Sequence, residues 1–109
     1  MKIDKDQAVE ALRAVPDTFK TFFRHGTLSV EVYKPDKIDL QEPHDRDEVY
    51  VIISGSSEFQ NGKQKVKCKS GDFLFVPAYQ DHRFFNFTDD FATWVIFYGP
   101  EGGESESSS

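Results

Sequence analysis

Two short stretches hold the residues whose types and spacing could do chemistry. The first, "EPHDRDEVYVIISG", places His44 and Glu48 four residues apart at the mouth of an apolar run that ends at Gly55. The second, "GDFLFVPAYQDHRFFN", opens a strand-like run with His82 directly after the break at Pro77. The chain has three histidines, and two of them stand at such strand openings. Two imidazoles and a carboxylate suit Fe, Mn, Zn, Ni or Co and leave positions open for water or substrate. The alternative is that each histidine is a loop or core residue satisfied by hydrogen bonds.

Other residues near these stretches have weaker claims. Glu42 and His44 share a face if the segment is extended, as two ligands at i, i+2 must. Tyr50 and Tyr33 could offer phenol hydroxyls to a substrate, or pack as core aromatics. Asn86 could line a pocket or hold a turn, and Trp94 could belong to either pocket or core. Asp45, Arg46 and Asp47 read most simply as solvated loop charges, with Arg46 alternatively an anchor for a substrate carboxylate. Cys68, the only cysteine, cannot form an intrachain disulfide and reads as a plain strand residue.

The elements that must position these residues follow from periodicity. Asp4 can cap a helix, with Gln7 in capping-box position, and Ala8, Val9, Ala11, Leu12 and Val15 recur at helical spacing until Pro16. From Thr27 the signals are those of strands: 27–34, 48–54, "SEFQ" and "KQKVKCK" joined at Asn61-Gly62, 72–76, 82–87 and 91–98. On 27–34, Leu28, Val30 and Val32 share one face and Ser29, Glu31 and Tyr33 the other. On 48–54 both faces are apolar, so both must be covered, the outer one by the helix, a second sheet or a partner subunit. A homodimer is therefore expected.

The boundaries read as 1–20 for the helix and linker, 21–99 for an antiparallel barrel, and 100–109 for a disordered acidic, serine-rich tail. The 109 residues make one domain. A net charge of −6 argues against nucleic acid, because phosphate contacts need clustered cations. Lys63, Lys65, Lys67 and Lys69 alternate along one strand and read as a solvated face. There is no signal-peptide-like or membrane-spanning apolar run, so no membrane partner is expected and the location reads as cytoplasmic.

The two stretches together resemble the motifs of the cupin superfamily. The family's second motif is matched by Gly71, Pro77, His82 and Asn86 at the required spacing, and its first by His44, Glu48 and Gly55. The likeness covers about 27–98, with the short hairpin between the motifs. It implies an all-β antiparallel jelly-roll barrel with a short N-terminal helix. By carry-over, His44, Glu48 and His82 look like ligands of a divalent transition metal, with Glu42 as a possible fourth. This chain departs from the family at three places: Glu42 stands where a first histidine would, Asp36 at an opening glycine, and Tyr79 at a middle glycine, where the loop is expected to change shape and overhang the mouth.

If Glu42 binds, two carboxylates neutralise the ion and weaken its Lewis acidity; if it turns away, a three-ligand facial site remains. The implied function is a metal-dependent dioxygenase or other oxidoreductase, or an isomerase or lyase, acting on a small polar molecule. Glu48 and Tyr50 are the candidate catalytic residues. The competing readings are a non-catalytic small-ligand-binding domain and, less simply, a structural dimer.

Overall fold

The computed structural model describes residues 1–105. Asp4 starts helix α1 (Lys5–Arg13): its carboxylate accepts the N–H groups of Asp6 and Gln7 at 2.9 and 3.0 Å, two donors that the first turn leaves without helical partners. Its buried residues are Ala8 and Leu12, four apart and so on one face.

Eight strands follow: β1 (Phe19–His25), β2 (Leu28–Tyr33), β3 (Asp47–Ser54), β4 (Ser56–Asn61), β5 (Gln64–Lys69), β6 (Phe73–Val76), β7 (His82–Phe85) and β8 (Ala92–Tyr98). They form a five-stranded sheet, order β1-β2-β8-β3-β6, facing a three-stranded sheet, order β5-β4-β7, every pairing antiparallel. This is the jelly-roll arrangement, with the two sheets not joined by a strand ladder among the described residues. The chain passes from one sheet to the other at Gly55. Its φ is +71°, and a Cβ there would come within 2.7 Å of the Asp90 carboxylate and 2.9 Å of the Phe91 Cα, so only glycine fits.

The structure departs from the sequence reading in three places. β1 has no counterpart in it. "FKTFFRH" does not alternate, none of its residues is buried, and its strand form comes from pairing with β2 across the Gly26-Thr27 turn. The β4–β5 turn sits one residue later than expected: Asn61 pairs with Gln64, and the loop is Gly62-Lys63, with Gly62 at φ +59° in the first loop position. The segment expected as a disordered tail is docked in its first part. Gly102 N–H donates to the Asp45 carbonyl and Glu104 N–H to the Asp47 carboxylate at 2.8 Å. Residues 106–109 lie outside the described residues.

Between the sheets lies an aromatic core. Tyr50, Phe59, Phe84 and Phe91 are fully buried, with Tyr50 edge-on to Phe84 at 4.9 Å and Phe59 against Phe84 at 4.5 Å. On β2 the inward face is the more polar one, Ser29, Glu31 and Tyr33, because these pair across with the inward Phe97, Val95 and Thr93 of β8. The outer face of the large sheet carries two apolar rows. Phe23, Val30, Ile96, Val49 and Phe75 run across all five strands in register, beside Val32, Trp94, Val51 and Phe73. Helix α1 covers Val32, Ile53 and Ala92 and touches Trp94 and Phe22, leaving Phe73 and Phe75 exposed.

A strap, residues 34–46, joins β2 to β3 across the barrel and is fixed by one buried carboxylate. Asp39 accepts from the Tyr33 hydroxyl (2.7 Å), the Phe84 N–H (2.9 Å), the Gln41 N–H (3.0 Å) and the Gln41 side-chain amide (3.1 Å). Replacing it would leave a buried hydroxyl and a buried N–H without partners. Asp39→Ala is therefore expected to cost about 2–4 kcal/mol, seen as a lower urea midpoint with an unchanged slope.

Candidate metal centre

β3 points Glu48 inward at its opening, in register with Phe97 on one side and Val76 on the other, and leaves it 1% exposed. β7 opens on His82 from the opposite sheet. The His82 Nδ1 lies 2.8 Å from the Gln80 carbonyl, a bond that keeps a proton on Nδ1 and turns Nε2 toward the Glu48 carboxylate, 3.2 Å away. His44 closes the set from the end of the strap. Its carbonyl accepts the Tyr79 N–H at 2.7 Å, and its ring sits edge-on to Phe97 at 4.7 Å.

One donor atom from each of His44, Glu48 and His82 lies within 4.8 Å of the others. Both Glu48 oxygens and the His82 Nε2 are buried without an aligned hydrogen-bond partner. Orphaned buried polar atoms of this kind are rare, and a carboxylate among them is costly unless a cation neutralises it. The donor set, its dryness and the Gln80 carbonyl behind His82 all fit a divalent transition metal. Burial alone would lower the pKa of His82, but the Glu48 carboxylate and the Gln80 carbonyl outweigh it, and the imidazole is held above its ordinary value.

The wall that carries His44 also bounds a cavity of about 460 Å³ between β1, β2 and the strap, into which Glu31, Tyr33, Gln41 and Phe97 project. Glu31 is half-buried. Burial raises its carboxyl above the usual range, and the Thr21 hydroxyl, donating to it at 3.3 Å, offsets part of that rise.

Glu42 is not brought to the cluster. It is exposed, and the segment that carries it is not a strand, so alternation does not aim it with His44. Tyr50 is wholly buried among Phe59, Phe84 and His82, and its hydroxyl donates to the Gln41 side chain at 3.0 Å. It is a core aromatic tied to the strap and does not border the cavity. Tyr33 likewise spends its hydroxyl on Asp39. Asn86 takes φ +52° after β7 and donates to Glu58, the turn role, while Trp94 packs on the outer face against α1.

Tyr79 takes a left-handed backbone (φ +66°), of the kind a glycine adopts readily; its side chain is exposed and lies off the cavity. Asp47 is no solvated charge. It is buried and accepts from the Ala78 and Glu104 N–H groups. Cys68 is buried, its thiol pushed up to about 11 chiefly by burial, which makes it a poor nucleophile. Asp39, Gln41 and the inward-facing Glu31 have no role in the sequence reading. Only the parity of Glu31 with Ser29 and Tyr33 pointed to it.

Comparisons with known proteins agree with this architecture. A family model described as the cupin domain matches residues 29–98. An uncharacterized protein of Streptomyces coelicolor is 34% identical over 104 residues, covering 93% of this chain and 99% of its own. Among solved structures, a protein from Neisseria meningitidis superposes with a TM-score of 0.69 at 17% identity, covering 91% of this chain and all of that one. KdgF from a Halomonas species superposes with a TM-score of 0.65 at 17% identity, covering 73% and 76%.

A cation entering the triad competes with the proton on His82. Because that proton is held more tightly than usual, affinity for Zn²⁺ or Co²⁺ is expected to fall as pH drops through a midpoint above the ordinary histidine value, approaching tenfold per unit below it. Competition against a chromophoric chelator across pH 5.5–8.5 measures this, and His82→Ala is expected to abolish tight binding.

Proposed function

The chain belongs to the cupin family, and from that footing we propose that it is a metal-dependent enzyme acting on a small polar molecule in the cavity beside His44. The reaction class favoured is oxidation by a dioxygenase-type route, with isomerase or lyase chemistry next. The observation that carries the reading is the convergence of one carboxylate and two imidazoles, with the buried Glu48 oxygens and the buried His82 Nε2 lacking an aligned hydrogen-bond partner and the half-buried His44 beside them. His44, Glu48 and His82 would hold the ion, of which Fe, Mn, Zn and Ni all suit the donor types. A bound divalent ion there supplies Lewis acidity toward a substrate oxygen.

The chain's own residues supply the rest. Phe97 and the strap keep bulk water from Glu48 and His82, so charge at the centre is felt at low dielectric. Tyr50 acts through Gln41, setting a side chain that borders the cavity. Glu48 stands both as ligand and as the one carboxylate at the centre.

The alternative, a binding module without turnover, is favoured by the two phenols being committed to Gln41 and Asp39, which leaves neither free as an acid. Elemental analysis of untagged protein prepared without chelator, beside a His44→Ala, His82→Ala variant, tests the first requirement. Near-stoichiometric metal in the wild type and none in the variant is expected. No metal in either, even after reconstitution, would sink the enzyme reading.

We further propose that the protein is a homodimer. The exposed Phe73 and Phe75, continuous with the apolar row over five strands, support association through that face. Sedimentation is expected to show a dimer for the wild type and a monomer for Phe73→Glu, Phe75→Glu.

A further inference from the structure

We propose that the cavity beside His44 takes a small hydroxy- or oxo-acid, its carboxylate held by Arg46 and Arg24 at the mouth and its uncharged oxygens directed inward. The inference deepens the proposed function and rests on it for what meets the inner end of the ligand.

Arg46 is built into the cavity wall. Its Nη1 donates to the Thr27 carbonyl at 2.6 Å, and its guanidinium lies 5.5 Å from the centre of the Phe97 ring. That ring also carries His44, so one aromatic plate joins the candidate ligand to the guanidinium. A single N–H of the five is spent, and the half-buried fork keeps donors in the planar spacing that matches a carboxylate. Arg24 stands on β1 opposite the inward-facing Ser29 and borders the same cavity from its exposed rim.

Neither arginine has a carboxylate within ion-pair distance among the described residues, where the pairs are Lys5–Asp6, Arg13–Glu10 and His82–Glu48. The chain carries 19 acidic and 13 basic residues, so two unpaired guanidinium groups on one cavity are conspicuous. The acidic groups lining the cavity are Asp45, exposed at the rim, and Glu31 on the inward face of β2. Glu31 fixes polarity: a second carboxylate beside it is disfavoured, whereas a hydroxyl can hydrogen-bond to it. At the rim the two guanidinium groups outnumber the one carboxylate of Asp45, so the acid end of a ligand is drawn to the arginines and away from Glu31. The volume of about 460 Å³ lies within the range of small-molecule sites.

Calorimetry on the full, metal-loaded chain tests this with matched probes: glycerate against glycerol, gluconate against sorbitol, glucuronate against glucose. At least one acid is expected to bind tenfold or more tighter than its neutral partner, and more weakly at high salt. Arg46→Ala and Arg24→Ala are each expected to weaken that acid by about ten- to a hundredfold and to leave the neutral partner unchanged, with Arg46→Lys intermediate. Acids and neutral partners binding alike in all three pairs would overturn the proposal, as would an acid affinity indifferent to both alanine variants. Arg24 is exposed, so its variant keeps the test valid even if Arg46→Ala unfolds. Metal content measured on the same samples separates the two readings. Protein that takes up no metal fails the proposed function, while its preference for acid over neutral probe still reports on the arginines.

Discussion

The structure turns on a carboxylate that has been taken out of water and left with one ion-pair neighbour, the His82 imidazole 3.2 Å away. Glu48 is 1% exposed and neither oxygen has an aligned donor. An ionised carboxylate buried in that condition costs several kcal/mol unless a positive charge stands beside it, which a proton on His82 or a metal ion would supply. The surroundings keep that demand in force. Phe97, Val76 and the Tyr50–Phe59–Phe84 aromatics wall the carboxylate off, while Gln80 fixes which nitrogen His82 offers. A core that wanted only stability would replace the pair with apolar residues of similar volume.

Two buried carboxylates flank the centre and are treated in the opposite way. Asp39 receives four donors, and Asp47, next to Glu48 in sequence, receives backbone N–H groups from Ala78 and Glu104. Both are satisfied and structural. Asp39 holds the strap, at whose end His44 sits; Asp47 fixes the start of the strand that presents Glu48. The contrast separates a carboxylate that positions from one kept available. It also explains why an acidic sequence can bury several acids without unfolding.

Much of this was legible in the residues. The resemblance to the cupin motifs, resting on His44, Glu48 and Gly55 and on Gly71, Pro77, His82 and Asn86, implied the fold and named the three residues that the structure brings together. What it did not carry was tertiary. β1 escaped because an edge strand with no buried residue leaves no alternation to read. Glu42 was grouped with His44 by a rule for extended chains, whereas the strand begins only at Asp47. Asp47 and Arg46 looked like solvated charges, since nothing local shows that the chain returns at Glu104 or that Phe97 lies under the guanidinium. Tyr79, standing where the family has a glycine, takes the left-handed backbone that a glycine adopts readily, which no local pattern announces.

The candidate ligands come from different layers: Glu48 belongs to the five-stranded sheet and His82 to the three-stranded one, and no strand ladder joins the two among the described residues. The sheets are held to each other by side-chain packing and by the chain crossings at Gly55 and its counterparts. Any opening that parts them also parts the triad. An ion held by all three would therefore also tie the two sheets together. Amide exchange in β7, which carries His82, would then slow if such an ion were bound.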